Sequence, residues 1–368
     1  MKKVAIITLN HGFNYGNKLQ NYAVQRIYEK MGLEAETIRF YPKGLKVSAS
    51  AQNKNVLHYV KRLAVRLEQK IYASRISQRN NNFETFNCTV LKMTTETYTP
   101  ESYSTIQEDK YDFFSVGSDQ VWNTYFFDFT PMYFLDFVHN NEKKIAFAAS
   151  FGVDDILPKY RDYAAQELNK FRSISVREEQ GKKILQDIGG IPSTVVLDPT
   201  LVLTANDWEY AINHSNLNIA SAYIVTYFLG GMHNQIRKII YSYAREHGYK
   251  VINLNDLHNR YYSCGPFDFV RLIRYSTAVF TDSFHATCFS LQFHKPFWVV
   301  PRRSQGKDMG SRLSSLLNMV GLTDRILTGK KEMDKEIDFL QSDKILSYER
   351  DRAGQFLSQA FSLGDLHD

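Results

Sequence analysis

At 368 residues, 43% of them hydrophobic and 14% aromatic, the chain has material for two ordinary domains, which excludes a disordered tail or a small disulfide scaffold. No long apolar run occurs, so no membrane-spanning helix is expected, and Cys88, Cys264 and Cys288 have neither metal-ligand spacing nor an even count, the usage of a cytoplasmic protein with reduced thiols. The net charge of +6 is local: within 54–79, Lys54, Lys61, Arg62, Arg66, Lys70, Arg75 and Arg79 stand against Glu68 alone, and the rest of the chain balances.

The first strand is read over Val4–Leu9; its apolar run is cut short by Asn10-His11 and does not make a leader segment. A helix follows from about Asn17 to Met31, with Leu19, Tyr22, Ala23, Ile27 and Met31 at three- and four-residue steps and Gly32 as the stop. The connection lacks both the dinucleotide fingerprint and the Gly-Lys-Ser/Thr of a phosphate loop. Its amides at Asn14, Asn17, Gln20 and Asn21 both donate and accept, which suits a neutral polyhydroxylated ligand. A polar turn with capping asparagines would use the same residues.

A strand at Glu36–Phe40 precedes a Lys/Ser/Ala/Asn-rich loop at 42–55. The basic stretch 54–79 then places Leu57, Val60, Ala64, Leu67 and Ile71 on one helical face. Such a helix can lie on an anionic membrane, or it can be a solvated helix packed on its own domain. No recognition motif or stacking platform accompanies it, so nucleic acid is not expected as a partner. Strands at Asp112–Val116, Lys143–Ala149, Ser173–Val176 and Thr194–Leu197 alternate with helices at 159–171 and 177–187.

A second series begins with a strand at Ala222–Phe228, then a helix at His233–Glu246 and a strand at Lys250–Asn253. A helix at Phe267–Arg274, a strand at Thr277–Thr281, a helix from Asp282 to about Phe293 and a strand at Phe297–Val300 complete it, before helices at 309–320 and 345–363. This rhythm predicts an α/β protein of two Rossmann-like domains with mainly parallel sheets facing across a cleft: an N-terminal domain 1–204, a C-terminal domain 205–330 and a helical segment 331–368. The ligand crevice is expected between them, at the carboxyl ends of the strands.

The informative residues sit after strands. Gly117-Ser118-Asp119-Gln120-Val121-Trp122-Asn123 offers a glycine for close approach and a Ser and Asp that cap a helix or bind hydroxyls. Ser150-Phe151-Gly152 can turn backbone amides into a crevice. Arg177 opens a helix at a strand's carboxyl edge, where a guanidinium meets an anion bidentately or pairs with Glu178 or Asp198. In Phe280-Thr281-Asp282-Ser283-Phe284-His285-Ala286-Thr287, His285 falls in the first turn of a helix, able to contact phosphate and move a proton near neutral pH.

In their order and spacing these segments, with Asn14-Tyr15-Gly16-Asn17, Gln20-Asn21-Tyr22-Ala23 and Ser175-Val176-Arg177-Glu178, resemble the polysaccharide pyruvyl transferases over roughly residues 3 to 325. The resemblance implies a GT-B-like fold and transfer of a pyruvyl group from phosphoenolpyruvate to two sugar hydroxyls, with no metal or further cofactor. It implies His285 as general acid and phosphate ligand and Arg177 as carboxylate or phosphate ligand. Ser150, Gly152, Ser283, Phe284 and Arg312 would complete the donor side. Asn14, Tyr15, Gly16, Asn17, Gln20, Gly117 and Ser118 would meet the acceptor, with Asp119 as base. Some members of this family carry Arg where this chain has Ser283, so either another cation compensates or the donor differs; Arg302, Arg303 and Lys307 are near in sequence. The acceptor would be a sugar of a surface polysaccharide, free or lipid-linked, handled in the cytoplasm or at the inner membrane face. A GT-B glycosyltransferase using a nucleotide-activated sugar, or a non-catalytic carbohydrate-binding protein, are the competing readings.

Overall fold

The computed structural model describes residues 1–41, 67–125, 130–300, 302, 311–327, 329, 333 and 336–363. Seven parallel strands form the first sheet: β1 (Lys3–Ile7), β2 (Glu34–Phe40), β3 (Met93–Tyr98), β4 (Phe113–Val116), β5 (Lys144–Ala149), β6 (Ser173–Val176) and β7 (Thr194–Val195). Their order across the sheet is β3-β2-β1-β4-β5-β6-β7. The second sheet holds β8 (Tyr223–Tyr227), β9 (Lys250–Asn253), β10 (Ala278–Thr281) and β11 (Phe297–Val299), also parallel, in the order β11-β10-β8-β9. Fully buried runs such as Phe113–Val116 and Lys144–Ala149 are what a sheet covered on both faces requires.

The helices in chain order are α1 (Tyr15–Lys30), α2 (Ala73–Thr89), α3 (Arg161–Leu168), α4 (Glu179–Gly189), α5 (Pro199–Val202), α6 (Glu209–Asn213), α7 (Asn234–Glu246), α8 (Pro266–Tyr275), α9 (Phe284–Gln292), α10 (Ser311–Met319) and α11 (Phe339–Ala360). The two halves share one apolar core, in which Tyr15, Tyr22 and Trp208 pack with Phe267, Phe269 and Phe289. Tyr15 stacks on Phe269 with centroids 4.5 Å apart, and Trp208 meets Phe289 edge-on at 4.8 Å. Helix α11 returns to the first sheet, where Phe361 touches Tyr28 and Phe113.

Two expectations differ from the structure. Strand β3 is absent from the sequence reading because it is a polar edge strand, M-T-T-E-T-Y, with Thr95, Glu96 and Thr97 exposed and no apolar face to betray it. The basic helix at 54–79 is not one solvated helix where it is described: the turn at Tyr72 separates 67–71 from α2. Residues 42–66 lie outside the described residues. Arg75 donates to the carbonyls of Leu257 and His258, and buried Arg79 donates to Tyr15 Oη at 2.9 Å and to the Tyr262 carbonyl at 2.5 Å. These two side chains tie α2 to the 257–262 segment that follows β9. Tyr15 Oη in turn donates to the Cys264 carbonyl at 2.9 Å. Tyr15→Phe therefore leaves two buried groups short of a partner. The expected cost is about 1–3 kcal/mol, read as a lower urea midpoint at unchanged slope.

Candidate functional site

In an open parallel sheet a crevice forms where the strand order reverses, because loops from adjacent strands leave in opposite directions. In the first sheet that point lies between β1 and β4, and in the second between β8 and β10. The loops after these four strands face one another across a cleft of about 320 Å³, lined by Leu9, Asn14, Asn17, Asp119 and Gln120 from one side. Leu229, Asp282, Ser283, Phe284, His285, Arg302, Arg312 and Leu313 line the other. Under the first side, Thr8 Oγ1 donates to the Ser118 carbonyl at 2.8 Å and accepts from Gln20 Nε2 at 2.9 Å, which locks the β1 and β4 loops together.

At the floor of the cleft is a buried charge cluster. The Arg177 guanidinium donates to Asp198 Oδ2 at 2.7 Å and to Asp119 Oδ1 at 3.1 Å, and its Nε lies 3.7 Å from Glu178 Oε2. Its side chain is fully buried, with the guanidinium carbon 5.0 Å from the Phe284 ring centre. Burial opposes its charge, and the three carboxylates outweigh burial and raise its pKa. Burial pushes the Asp198 carboxyl up, but His285 and Arg177 hold it at about 2. Asp119 behaves alike: Arg177, His285 and Arg312 overcome burial and lower its pKa. An ionised carboxylate of this kind accepts a hydrogen bond from a hydroxyl and is a weak proton acceptor. Asp119 also sits at φ +79°, a left-handed conformation uncommon outside glycine.

His285 is brought to this cluster by α9, capped by Ser283, whose Oγ accepts from the Ala286 amide at 3.4 Å. Its Nε2 stands 3.7 Å from Asp198 Oδ2. Its Nδ1 abuts α1 at Gly16: a Cβ there would lie 2.0 Å from Nδ1. Gly16 is thus needed to seat the ring. Burial lowers the pKa of His285 and Arg177 and Arg312 add to this, against Asp198 and Asp119.

Arg312, on α10, is the arginine of this cluster without an ion pair among the described residues. It is nine-tenths buried, lines the cleft, and has no carboxylate within ion-pair distance among the described residues. Burial first, then Arg177, pushes its pKa down to about 10. The side-chain amide of Gln120 lies 2.7 Å from Arg312 Nη2 and 2.7 Å from Asn123 Nδ2, so it bridges the two sides of the cleft. Gly152 makes room for that bridge, since a Cβ there would fall 2.2 Å from Gln120 Oε1. Nearby, Asp282 accepts from the amides of Leu229 and Gly230 at 2.6 and 2.7 Å and from Arg302 Nε at 3.2 Å.

Of the residues singled out from sequence, Asn14, Asn17, Asp119, Ser283, Phe284, His285 and Arg312 meet in the cleft, and Gly16 and Arg177 lie directly behind it. Several others have different positions. Ser150 Oγ and the amides of Phe151 and Gly152 point to Glu178 Oε1, at 2.8, 3.1 and 3.4 Å, because a carboxylate one strand over fills the anion site they would have offered. Tyr15 belongs to the domain interface, as its stacking on Phe269 shows. Gln20, Gly117 and Ser118 form the layer beneath the cleft, where Ser118 Oγ donates to Asp198. Arg303 and Lys307 lie outside the described residues. Asp198, Gln120 and Asp282 are the polar members that sequence reasoning did not place in the site; the signal for Asp198 was its position before Pro199 at a helix start, after a strand.

Among the described residues no group of His, Cys, Asp and Glu could hold a metal ion, and no helix is long and apolar enough to cross a membrane. The architecture is that of GT-B proteins. UDP-GlcNAc 2-epimerase of Methanocaldococcus jannaschii matches 98% of this chain and 100% of its own at 12% identity, with a TM-score of 0.53. The same organism's enzyme in complex with UDP-GlcNAc and UDP matches 99% and 100% at 13% identity, with a TM-score of 0.51. The Rickettsia bellii UDP-N-acetylglucosamine 2-epimerase matches 98% and 97% at 9% identity, with a TM-score of 0.50. At these identities the likeness is one of fold. Among curated proteins nothing matches the chain. The family model for polysaccharide pyruvyl transferase matches residues 14–304.

Proposed function

The chain belongs to the polysaccharide pyruvyl transferase family, a transferase family of polysaccharide biosynthesis, and from that premise we propose that it moves the pyruvyl group of phosphoenolpyruvate onto two hydroxyls of a sugar in a surface polysaccharide or its lipid-linked precursor. The observation that carries this reading is Arg312, a buried cation facing the cleft with no carboxylate partner among the described residues. An unpaired buried charge is costly, and a small anion arriving beside it relieves that cost. The N-terminus of α9 adds its partial positive charge next to it. Arg312 lines the same cleft as Ser283 and is a candidate for the cation that the serine does not supply. On the opposite wall Asn14, Asn17 and Gln120 supply amides suited to sugar hydroxyls.

The reaction balances with these groups alone. A proton reaches the enol methylene and turns it into a methyl. One sugar hydroxyl bonds to C2, the C2–O bond to phosphate breaks, and the second hydroxyl closes the ketal. Of the two hydroxyl protons, one replaces that given to the methylene and the other leaves with phosphate. His285 gives the first proton, and Asp119 accepts a hydrogen bond from the attacking hydroxyl.

Thermal melting with phosphoenolpyruvate beside a panel of nucleotide sugars tests the donor, because a ligand that binds only the native state raises the melting temperature. The expected result is a rise with phosphoenolpyruvate that Arg312→Met loses. A rise with a nucleotide sugar only would replace this donor with a nucleotide-activated one.

A further inference from the structure

The two ring nitrogens of His285 have different surroundings. Nε2 is buried and makes no hydrogen bond to any described residue, and the carboxylate beside it is Asp198, 3.7 Å away. Nδ1 lies against Gly16 at the wall formed by Asn14 and Asn17. Asp198 is itself fixed. Its Oδ1 accepts from the Thr200 amide at 3.0 Å and from Thr200 Oγ1 at 2.7 Å, and its Oδ2 accepts from Arg177 at 2.7 Å and from Ser118 Oγ at 3.1 Å. A carboxylate anchored by four hydrogen bonds cannot follow the ring, so the ring must orient to it.

We propose that Asp198 is a positioning residue for His285: it draws the Nε2–H side of the imidazole toward Oδ2, stabilises the imidazolium, and leaves Nδ1 as the nitrogen that passes a proton into the cleft. The orientation argument is that of any carboxylate behind an acid–base histidine, in which the partner of one nitrogen decides the tautomer of the other. The separation of 3.7 Å is beyond a hydrogen bond and within reach of strong charge coupling, the looser spacing common before a ligand closes a site. Asp198 caps α5 in the first half of the chain and His285 opens α9 in the second, so the proton donor is complete only where the two sheets meet.

The charged groups that face the ring are Asp198 and Asp119, which favour its protonation, and Arg177 and Arg312, which oppose it. From its own helix comes the Cys288 thiol, pushed up by burial and hence neutral. The α1 side offers Asn14, Gly16 and Asn17, none of which titrates. Among the described residues Asp198 is the one carboxylate within 4 Å of Nε2, and its removal should therefore move the ring's titration more than the loss of any single bond elsewhere.

The test is an NMR titration of the imidazole signals, with His285 assigned by their loss in His285→Gln. In Asp198→Asn, which keeps the shape and the Thr200 cap, the His285 midpoint is expected to fall by about one pH unit, since loss of an opposite charge at this range shifts a pKa by that order. In Ser118→Ala one competing donor leaves Oδ2, and the midpoint is expected to rise. Ser118→Ala also keeps the question answerable if Asp198→Asn does not fold. A purely structural Asp198 would lower the melting temperature and leave the midpoint where it is; an unmoved midpoint in the variants that fold overturns the proposal. The role rests on the pyruvyl-transfer reading, but this titration uses no phosphoenolpyruvate. A shifted midpoint in a protein that ignores phosphoenolpyruvate would retain the pair and discard the donor.

Discussion

Arg177→Met is expected to destabilise the protein by at least about 3–5 kcal/mol at neutral pH, the cost of removing one partner from a buried charge set. Asp119, Glu178 and Asp198 surround this guanidinium, and the remaining cation near them, Arg312, faces the cleft. A methionine of similar length fills the space over Phe284 and leaves the carboxylates uncompensated. The pH dependence identifies the cause. In the native protein Asp198 is held at about 2, below the unfolded value of 3.8, so it contributes stability above pH 4 that is lost as pH falls toward 2. Without Arg177 the Asp198 carboxyl loses one of the groups that hold it down and rises toward its unfolded value. Much of the stability it contributes above pH 4 is then missing from the variant, whereas the parent gives up that stability only as pH falls toward 2. Urea unfolding at pH 7 and at pH 3 should therefore show the variant's deficit shrinking in acid. A deficit that is constant across this range, or below about 0.5 kcal/mol, would show that the cluster is not held by charge.

The loops that make the cleft were readable because each follows an apolar β-rich run and opens a helix, and the doubly wound fold sends such loops to one edge. Asn14, Asn17, Ser283 and His285 were found in that way, and they sit on the two switch points. What the sequence did not reveal was which polar groups satisfy one another. Ser150 and the Phe151 and Gly152 amides looked like an anion site, and the anion is Glu178 of the same chain, one residue past the arginine assigned to the ligand. Arg79 looked like part of a basic face and is buried under Tyr15 and Tyr262. Arg312 lies more than a hundred residues from Asp119 and Gln120 in sequence, so no local pattern could pair them. Periodicity reports whether a face is buried. It carries nothing about long-range charge compensation, which decides whether an arginine is a ligand contact or a pillar. Arg177 has three carboxylates within 4 Å and Arg312 has none among the described residues.

His285→Gln is expected to abolish transfer, with a fall in turnover of about 10²–10⁴, while melting within a few degrees of the parent. Glutamine can keep a polar contact toward Asp198 but cannot carry a proton at any pH near neutrality. Burial already lowers the pKa of the ring in the ligand-free protein, so the proton needed by the enol methylene is held only against the carboxylates beneath it. In the proposed reaction, an anion bound at Arg312 would offset a charge that opposes protonation of His285, and donor binding would thereby favour the acid form. Gly16→Ala separates chemistry from placement. The glycine is within α1, where alanine is conformationally favourable, yet its Cβ would stand 2.0 Å from Nδ1, so the ring must move while remaining a titratable imidazole. Comparable loss of turnover in both variants, with phosphoenolpyruvate binding retained, would place the requirement at the position of Nδ1. Full activity in Gly16→Ala would show that the ring has room to reorient, and the proton would then have to come from elsewhere in the cleft.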